Sequence, residues 1–411
     1  MARKALRLAG GVLLAASAAS IVWEWLCVSA TREFFQRSAS EGEGPAGSRA
    51  AGSATPAPEG AGGQSQLPKA SILMPLRGAS PENRASILSM LKQDYPSHDV
   101  IVGVATNDEA AAGLVSELQR SPGVMARPGQ LQLASGPNRL GGMPKVGNLH
   151  NALQLSQAPF IAMVDADIVA GPDFLRRFLS PLLTPQTGLT TCLYRASPGG
   201  SLWNRADAIW NSTTYLPSAL FGRKVIGESF AFGAAIGIRR DVLDQIGGYA
   251  AIAPRVGDDY QMGHRAASLG YRVRFVPYVV TEQMERISFL VFLNRRIRWS
   301  RTIRTYQAAG YAGSIITYGF PLALAAAMLA PRNRGRWRWL AVVLANRTMC
   351  AALNRRWIEP GRPPAEMALV PIRDVVALVV WGLGFTKARR RLPVGVAHGP
   401  LPGAPTKTAR S

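Results

Sequence analysis

The run Phe160-Ile-Ala-Met-Val-Asp165-Ala-Asp167-Ile drives an apolar segment straight into two carboxylates spaced i, i+2. Ionised carboxylates are not tolerated unpaired inside a core, so this pair belongs at a strand end facing a cleft. Two hard oxygen ligands there suit Mg²⁺ or Mn²⁺ bridging a diphosphate; a turn with two capping aspartates is the plainer alternative. Gly257-Asp258-Asp259-Tyr260 is the second cluster. Adjacent carboxylates repel, which raises the pKa of one and equips it as a base. Equally, aspartates at a helix N-terminus answer the helix dipole. The third cluster is Arg295-Arg296-Ile-Arg298-Trp299, followed by Arg301 and Arg304. Arg295, Arg298 and Arg301 or Trp299 recur at three- and four-residue spacing and so share a helix face. Guanidinium forks match phosphate oxygens in pairs, while a helix snorkelling its arginines into lipid headgroups would use the same residues. Joined together, the two readings turn Arg298 inward and Arg296, Arg301 or Arg304 outward.

The elements that must position these groups follow from hydrophobic patterning. Strand candidates are Ser71–Leu76, Val100–Ala105, Leu131–Ala134, Phe160–Val164, Leu189–Tyr194 and Val273–Tyr278, separated by amphipathic, helix-like stretches. Several are apolar throughout, as strands covered on both faces should be. The alternation predicts an α/β domain with a mostly parallel sheet, and such sheets bind ligands beyond the carboxyl ends of their strands.

Around that domain the chain reads as membrane-associated. Leu8 to Ala30 is apolar except for Glu24 and long enough for a ~30 Å hydrocarbon core. Arg3, Lys4 and Arg7 before it also suit a signal peptide, but without a clean small-residue cleavage site the run reads as an uncleaved anchor. Ser38 to Gln66, rich in Gly, Ala, Ser, Pro and Glu, reads as a flexible tether. A basic, aromatic helix (Ile287 to Tyr306) precedes Tyr311–Ala330, an uncharged spanning candidate. Trp339–Leu353, interrupted by Asn346 and Arg347, and Met367–Phe385, carrying Arg373 and Asp374, are weaker ones. The expected divisions are an anchor (1–37), the tether (38–66), a catalytic α/β domain (67–286), an interfacial basic helix (287–310), a membrane region (311–391) and a tail (392–411).

Of the 411 residues, 47% are hydrophobic and 18% charged, with 47 Lys and Arg against 25 Asp and Glu. The charged share is low for a soluble protein, and the net charge of +22 calls for an anionic partner. Many of the basic residues lie between Arg286 and Arg362 and in Lys387 to Arg391, beside apolar segments, which fits lipid headgroups and not a nucleic-acid groove. Cys27, Cys192, Cys350 and four histidines are too scattered to build a disulfide framework or a zinc site.

Read in order, Pro75-Leu-Arg77-Gly78, Lys145 to Asn148, Asp165-Ala-Asp167, Asp258-Asp259 and Arg-x-x-Arg-Trp before a spanning helix resemble the ceramide glucosyltransferase family. This is a membrane branch of the inverting glycosyltransferases with the GT-A fold; the hopanoid-biosynthesis glycosyltransferases look like a sister group. Gln93-Asp-Tyr-Pro96, Asn138, Thr191-Cys-Leu-Tyr-Arg195, Phe232-Gly233 and Arg240 to Gly248 add to the resemblance, which covers roughly Ala70 to Ala330 and, more weakly, Pro371 to Asp374. It implies that Asp165 contacts the nucleotide sugar and Asp167 its metal, Mg²⁺ or Mn²⁺. Asp259 would be the base, and Arg295, Arg298 and Trp299 would close over the donor diphosphate, with Lys145 also at the donor. The family's first aspartate, associated with the nucleobase, has Asp108 of Thr106-Asn107-Asp108-Glu109 as its nearest counterpart, displaced by about two positions.

The reaction implied is single-displacement transfer of a hexose from a UDP-sugar to a lipid hydroxyl, on a ceramide or sphingolipid-type acceptor or a hopanoid one. Cytosolic nucleotide sugars put the catalytic domain on the cytoplasmic side of a multi-pass protein of a bacterial inner membrane, although Arg3, Lys4 and Arg7 would then lie outside, against the positive-inside tendency. Two other classes stay open: a processive polysaccharide synthase, for which three or four spans are few, and an inactive lipid-binding homologue.

Overall fold

The computed structural model describes residues 2–40, 67–125, 130–197, 200–255, 257–330 and 332–386. Most of the 38–66 tether, the 392–411 tail and the basic run from Lys387 to Arg391 lie outside them. The described strands are β1 (Ala70–Pro75), β2 (His98–Ala105), β3 (Leu131–Gly136), β4 (Phe160–Val164), β5 (Ile168–Val169), β6 (Thr187–Ala196), β7 (Ala235–Arg239) and β8 (Arg272–Glu282). They form one sheet in the order β3-β2-β1-β4-β7-β6-β8-β5. The pairings β1–β2, β1–β4, β2–β3 and β6–β8 are parallel, and β4–β7, β6–β7 and β5–β8 antiparallel. The α/β reading holds, with a mixed, GT-A-like sheet. Neither β5 nor β7 is visible as a pattern: one is two residues long, and the other, Ala-Ile-Gly-Ile-Arg, carries too few bulky residues to stand out.

Strands β1, β2 and β4 are buried almost throughout, because helices cover both faces. Gln93 clamps the outer layer: its amide donates to Gly171 O (2.9 Å) and accepts from Leu175 N (2.8 Å).

The N-terminal helix runs from Ala2 to Ser40, ten residues beyond the apolar run read from sequence, and past the start of the expected tether. Its C-terminal half docks on the sheet domain: Ala30, Phe34 and Phe35 join the main hydrophobic core, and Phe35 stacks on Trp357 at 5.9 Å. Glu24, the one charge in the apolar run, is buried, accepts from Asn346 Nδ2 at 2.6 Å and lies 3.7 Å from Arg347.

Among the described residues two helices, Leu8–Gln36 and Pro364–Gly384, are long and apolar enough to cross a membrane. The run 311–330 is not the straight span its composition predicts. It breaks into Ala308–Thr317 and Gly319–Met328, bent by 63°. Gly319 at the break packs on Ser20, whose Oγ accepts from its backbone N–H at 3.1 Å. The weaker candidate becomes a continuous helix, Arg334–Ile358, with Arg347 buried against Asp374 at 2.8 Å.

Candidate active site

Carboxyl ends of the strands gather the chemistry. After β4 the chain turns through Asp165-Ala-Asp167. The Asp165 backbone N–H still donates to Ala234 O at 3.1 Å, extending the pairing with β7. Asp167 O accepts from Gln283 N at 2.7 Å, which fixes this turn beside the end of β8. Lys145 lies in the first turn of the helix Pro144–Leu155, where a cation opposes the dipole. Two carboxylates offset that: its Nζ is 2.7 Å from Asp165 and 3.2 Å from Asp258. Burial lowers the Lys145 pKa, but these carboxylates win and hold it above the ordinary lysine value.

Asp258 and Asp259 open the helix Asp258–Ser268 behind Gly257, whose φ of +72° puts it in the left-handed region. A side chain at Gly257 would also meet the Tyr306 ring at 2.7 Å, so glycine is required twice over. Asp259 lies against Gly233, where a Cβ would stand 3.2 Å from Oδ2. A side chain at Gly233 would therefore crowd the Asp259 carboxylate. Burial, then the neighbouring Asp258, lifts the Asp259 pKa to about 6. Burial outranks the adjacent carboxylate as the cause of this shift.

Asp167 has a different environment. Burial, then Glu282 and Asp165, lift its pKa to about 8, with Arg295 opposing. No cation pairs directly with it among the described residues, and the buried Glu282 Oε2 has no hydrogen-bond partner. Asp167, without a paired cation, is an oxygen donor that fits a hard divalent cation, whereas Glu282 is already paired with Arg295. No group of three or more His, Cys, Asp or Glu among the described residues is arranged to hold a metal ion alone. The fit is therefore to an ion that also takes ligands from a bound phosphate.

The helix Phe289–Tyr306 is rotated from the expected orientation. Arg296, expected outward, is 3% exposed, and Arg298, expected inward, is exposed. The apolar stripe decides this: Phe292 packs on Trp203 and Trp210, and Trp299 on Tyr215, so 292, 296 and 299 make the inner face. Arg296 can be buried because Asp207, itself 0% exposed, pairs with its Nε, while Asp207 O and Asn211 Oδ1 accept from its Nη2 at 2.9 Å. Arg295 pairs with Glu282 and lies 3.7 Å from Asp207. The guanidinium groups of Arg295 and Arg296 sit 5.2 and 4.9 Å from the Trp299 ring. Arg298 has no ion-pair partner among the described residues.

Lys145 is thus in direct contact with Asp165 and Asp258, with Asp259 adjoining them, and Asp167 lies close enough to Glu282 and Arg295 to feel both charges. Asp108 follows β2 but is occupied: Oδ1 accepts from Ala111 N at 3.1 Å as a helix cap, and Oδ2 from Gly78 N at 2.8 Å. It therefore ties the β1 and β2 ends together. Asp207 and Glu282 were not picked out from sequence. Asp207 lies 89 positions from Arg296; its only local signal is a charge among Ala206, Ala208 and Ile209. Glu282 gave none, being the last residue of a strand.

A mixed sheet of this order, with carboxylates at the ends of β4 and β8, defines a GT-A-like fold. The chain belongs to glycosyl transferase family 21, whose model matches residues 48–390. It is similar to a probable glycosyltransferase of Bacillus subtilis, YdaM, at 22% identity over 57% of this chain and 55% of that one. It is also similar to ceramide glucosyltransferase 3 of Caenorhabditis elegans, at 23% identity over 57% of this chain and 50% of that one. The chain thus spans about half the length of the curated relatives it matches. Among solved structures, a mannosyltransferase from Pyrobaculum calidifontis in complex with GDP-Man and Mn²⁺ aligns over 89% of this chain and 97% of that one, at 17% identity and a TM-score of 0.47.

Proposed function

We propose that this protein is a membrane-bound, inverting glycosyltransferase that moves a hexose from a UDP-sugar onto the hydroxyl of a ceramide-type lipid, with a hopanoid-type lipid as the second candidate acceptor. Membership of family 21 supports glycosyl transfer, and the apolar helices support a membrane-borne acceptor. The observation that carries the reading is the Lys145–Asp165–Asp258 cluster at the strand ends, with Asp259 beside it against Gly233.

Asp259 takes the acceptor proton as the acceptor oxygen forms its bond to the anomeric carbon. The bond from that carbon to the diphosphate oxygen breaks, and the electron pair leaves with the nucleoside diphosphate. A pKa near 6 leaves the base ionised at neutral pH yet basic enough to accept a proton. Lys145 holds Asp165 toward the donor. Arg298, exposed and unpaired, is the guanidinium free to grip the diphosphate, while Arg295 is held in place by Glu282. Asp167, with donor phosphate oxygens, would hold Mg²⁺ or Mn²⁺, which neutralises charge developing on the leaving diphosphate.

Lipid mass spectrometry on cells with and without the protein tests the reading. A hexosylated lipid that appears only with the active chain is expected, and a polymeric glycan product would overturn it.

A further inference from the structure

The last turn of the arginine helix reaches Gly257 and Tyr260, the residues that flank the Asp258–Asp259 pair. Tyr306 stacks on Tyr260, the residue after Asp259, with centroids 4.7 Å apart and planes 18° apart. Tyr260 stacks in turn on His264 at 5.6 Å and 9°. Gln307, the next residue, donates from Nε2 to the Tyr260 hydroxyl at 3.4 Å. The Tyr306 ring lies over Gly257, where a Cβ would be 2.7 Å from its Cε2 and 2.8 Å from its Oη. Its hydroxyl is buried and has no hydrogen-bond partner among the described residues.

An unpaired buried hydroxyl carries a desolvation cost that a merely structural ring would avoid by being phenylalanine. The hydroxyl stays protonated: burial, then Asp259 and Asp258, lift its pKa to about 12. Position adds to this. Tyr306 is separated by one residue from Ala308–Thr317, the first limb of the bent apolar pair, so it stands where the base-bearing helix meets the apolar helices.

We infer that Tyr306 is an acceptor-positioning residue, whose hydroxyl hydrogen-bonds the attacking hydroxyl of a membrane lipid while the Tyr306–Tyr260–His264 stack walls the base off from water. This rests on the transferase reading and names the acceptor side of the same site. The hydroxyl supplies the partner that an alcohol needs once desolvated, and the aromatic wall favours the lipid alcohol over water as nucleophile.

The test uses membranes containing the full chain, supplied with radiolabelled UDP-glucose and, in parallel, UDP-N-acetylglucosamine. Label in the organic phase reads transfer to lipid; free sugar in the aqueous phase reads transfer to water. Tyr306→Phe keeps the ring and should lower lipid transfer about tenfold, while transfer to water and the donor KM stay within about twofold. Tyr306→Ala opens the wall and should raise the ratio of water transfer to lipid transfer. Unchanged lipid transfer in Tyr306→Phe overturns the inference. So does a parallel fall in lipid and water transfer, which would make Tyr306 structural. A native chain that labels neither phase from either donor sinks the transferase reading itself, and the inference falls with it.

Discussion

A carboxylate whose pKa is raised by the fold carries opposite signs in chemistry and in stability, and Asp259 shows both. As the proposed base it must be ionised, so turnover should fall about tenfold per pH unit below about 6, measured as kcat against pH at saturating donor. Asp259→Asn should abolish that limb and cost about 10²–10⁴-fold in transfer, with donor affinity kept. For stability, a raised folded-state pKa favours the protein below the unfolded-state value, and this advantage disappears as pH rises through about 6. Ionised Asp259 is therefore a burden on the fold at neutral pH. Asp259→Asn should unfold at the native temperature or above it in calorimetry. A variant that loses both activity and stability would show that the residue holds structure and is not the base.

At the scale of the element, the arginine helix separates anchoring from phosphate recognition. Arg296 is committed to Asp207 and Asn211, and removing Asp207 leaves a guanidinium buried without its charge partner. Asp207→Ala should then cost roughly 3–5 kcal/mol, read as a lowered unfolding midpoint in detergent. Asp207→Asn, which keeps an acceptor, should cost less. Arg298 makes the other comparison. If it grips a diphosphate, Arg298→Lys loses the two-pronged contact and turnover drops severely despite unchanged charge. Arg304→Lys, at a position proposed to face headgroups, should be tolerated because lysine snorkels as arginine does. Equal activity of the two variants, at matched protein levels in the same lipid, would remove the diphosphate role from Arg298 and leave an interfacial helix.

Across the whole molecule, the N-terminal apolar helix is fastened to the sheet domain through Phe34 and Phe35, so the two meet directly and not only through the segment between them. A consequence can be measured without an activity assay. Cys27, Cys192 and Cys350 are all free and buried, which leaves little background for thiol labelling. A reporter cysteine at the exposed Glu109 should react with a membrane-impermeant maleimide only after cells are opened, as a cytoplasmic catalytic domain requires. Labelling of intact cells would reverse the orientation and remove the donor supply on which the proposed reaction depends.

The strand patterns, the two aspartate clusters and the apolar runs were legible along the chain because each is local: a run of branched residues ending in carboxylates needs no distant partner to be read. Asp165 and Asp258 occur in separate segments, and only folding joins them through Lys145. Helical spacing suggested an arginine face with Arg298 inward and Arg296 outward, and the structure reverses that orientation. That choice lies with Phe292, Trp299 and above all Asp207, whose buried charge makes an inward Arg296 tolerable. Composition likewise marked 311–330 as apolar without revealing its 63° bend, which is set where Gly319 meets Ser20 across 299 residues of chain. Local propensity and periodicity determine which segments become strands, helices and acidic turns. Which side chains face one another, and so which carboxylate is paired, protonated or left to act as a base, is decided by long-range packing and burial, because desolvation and Coulomb energies depend on distances that no sequence spacing contains.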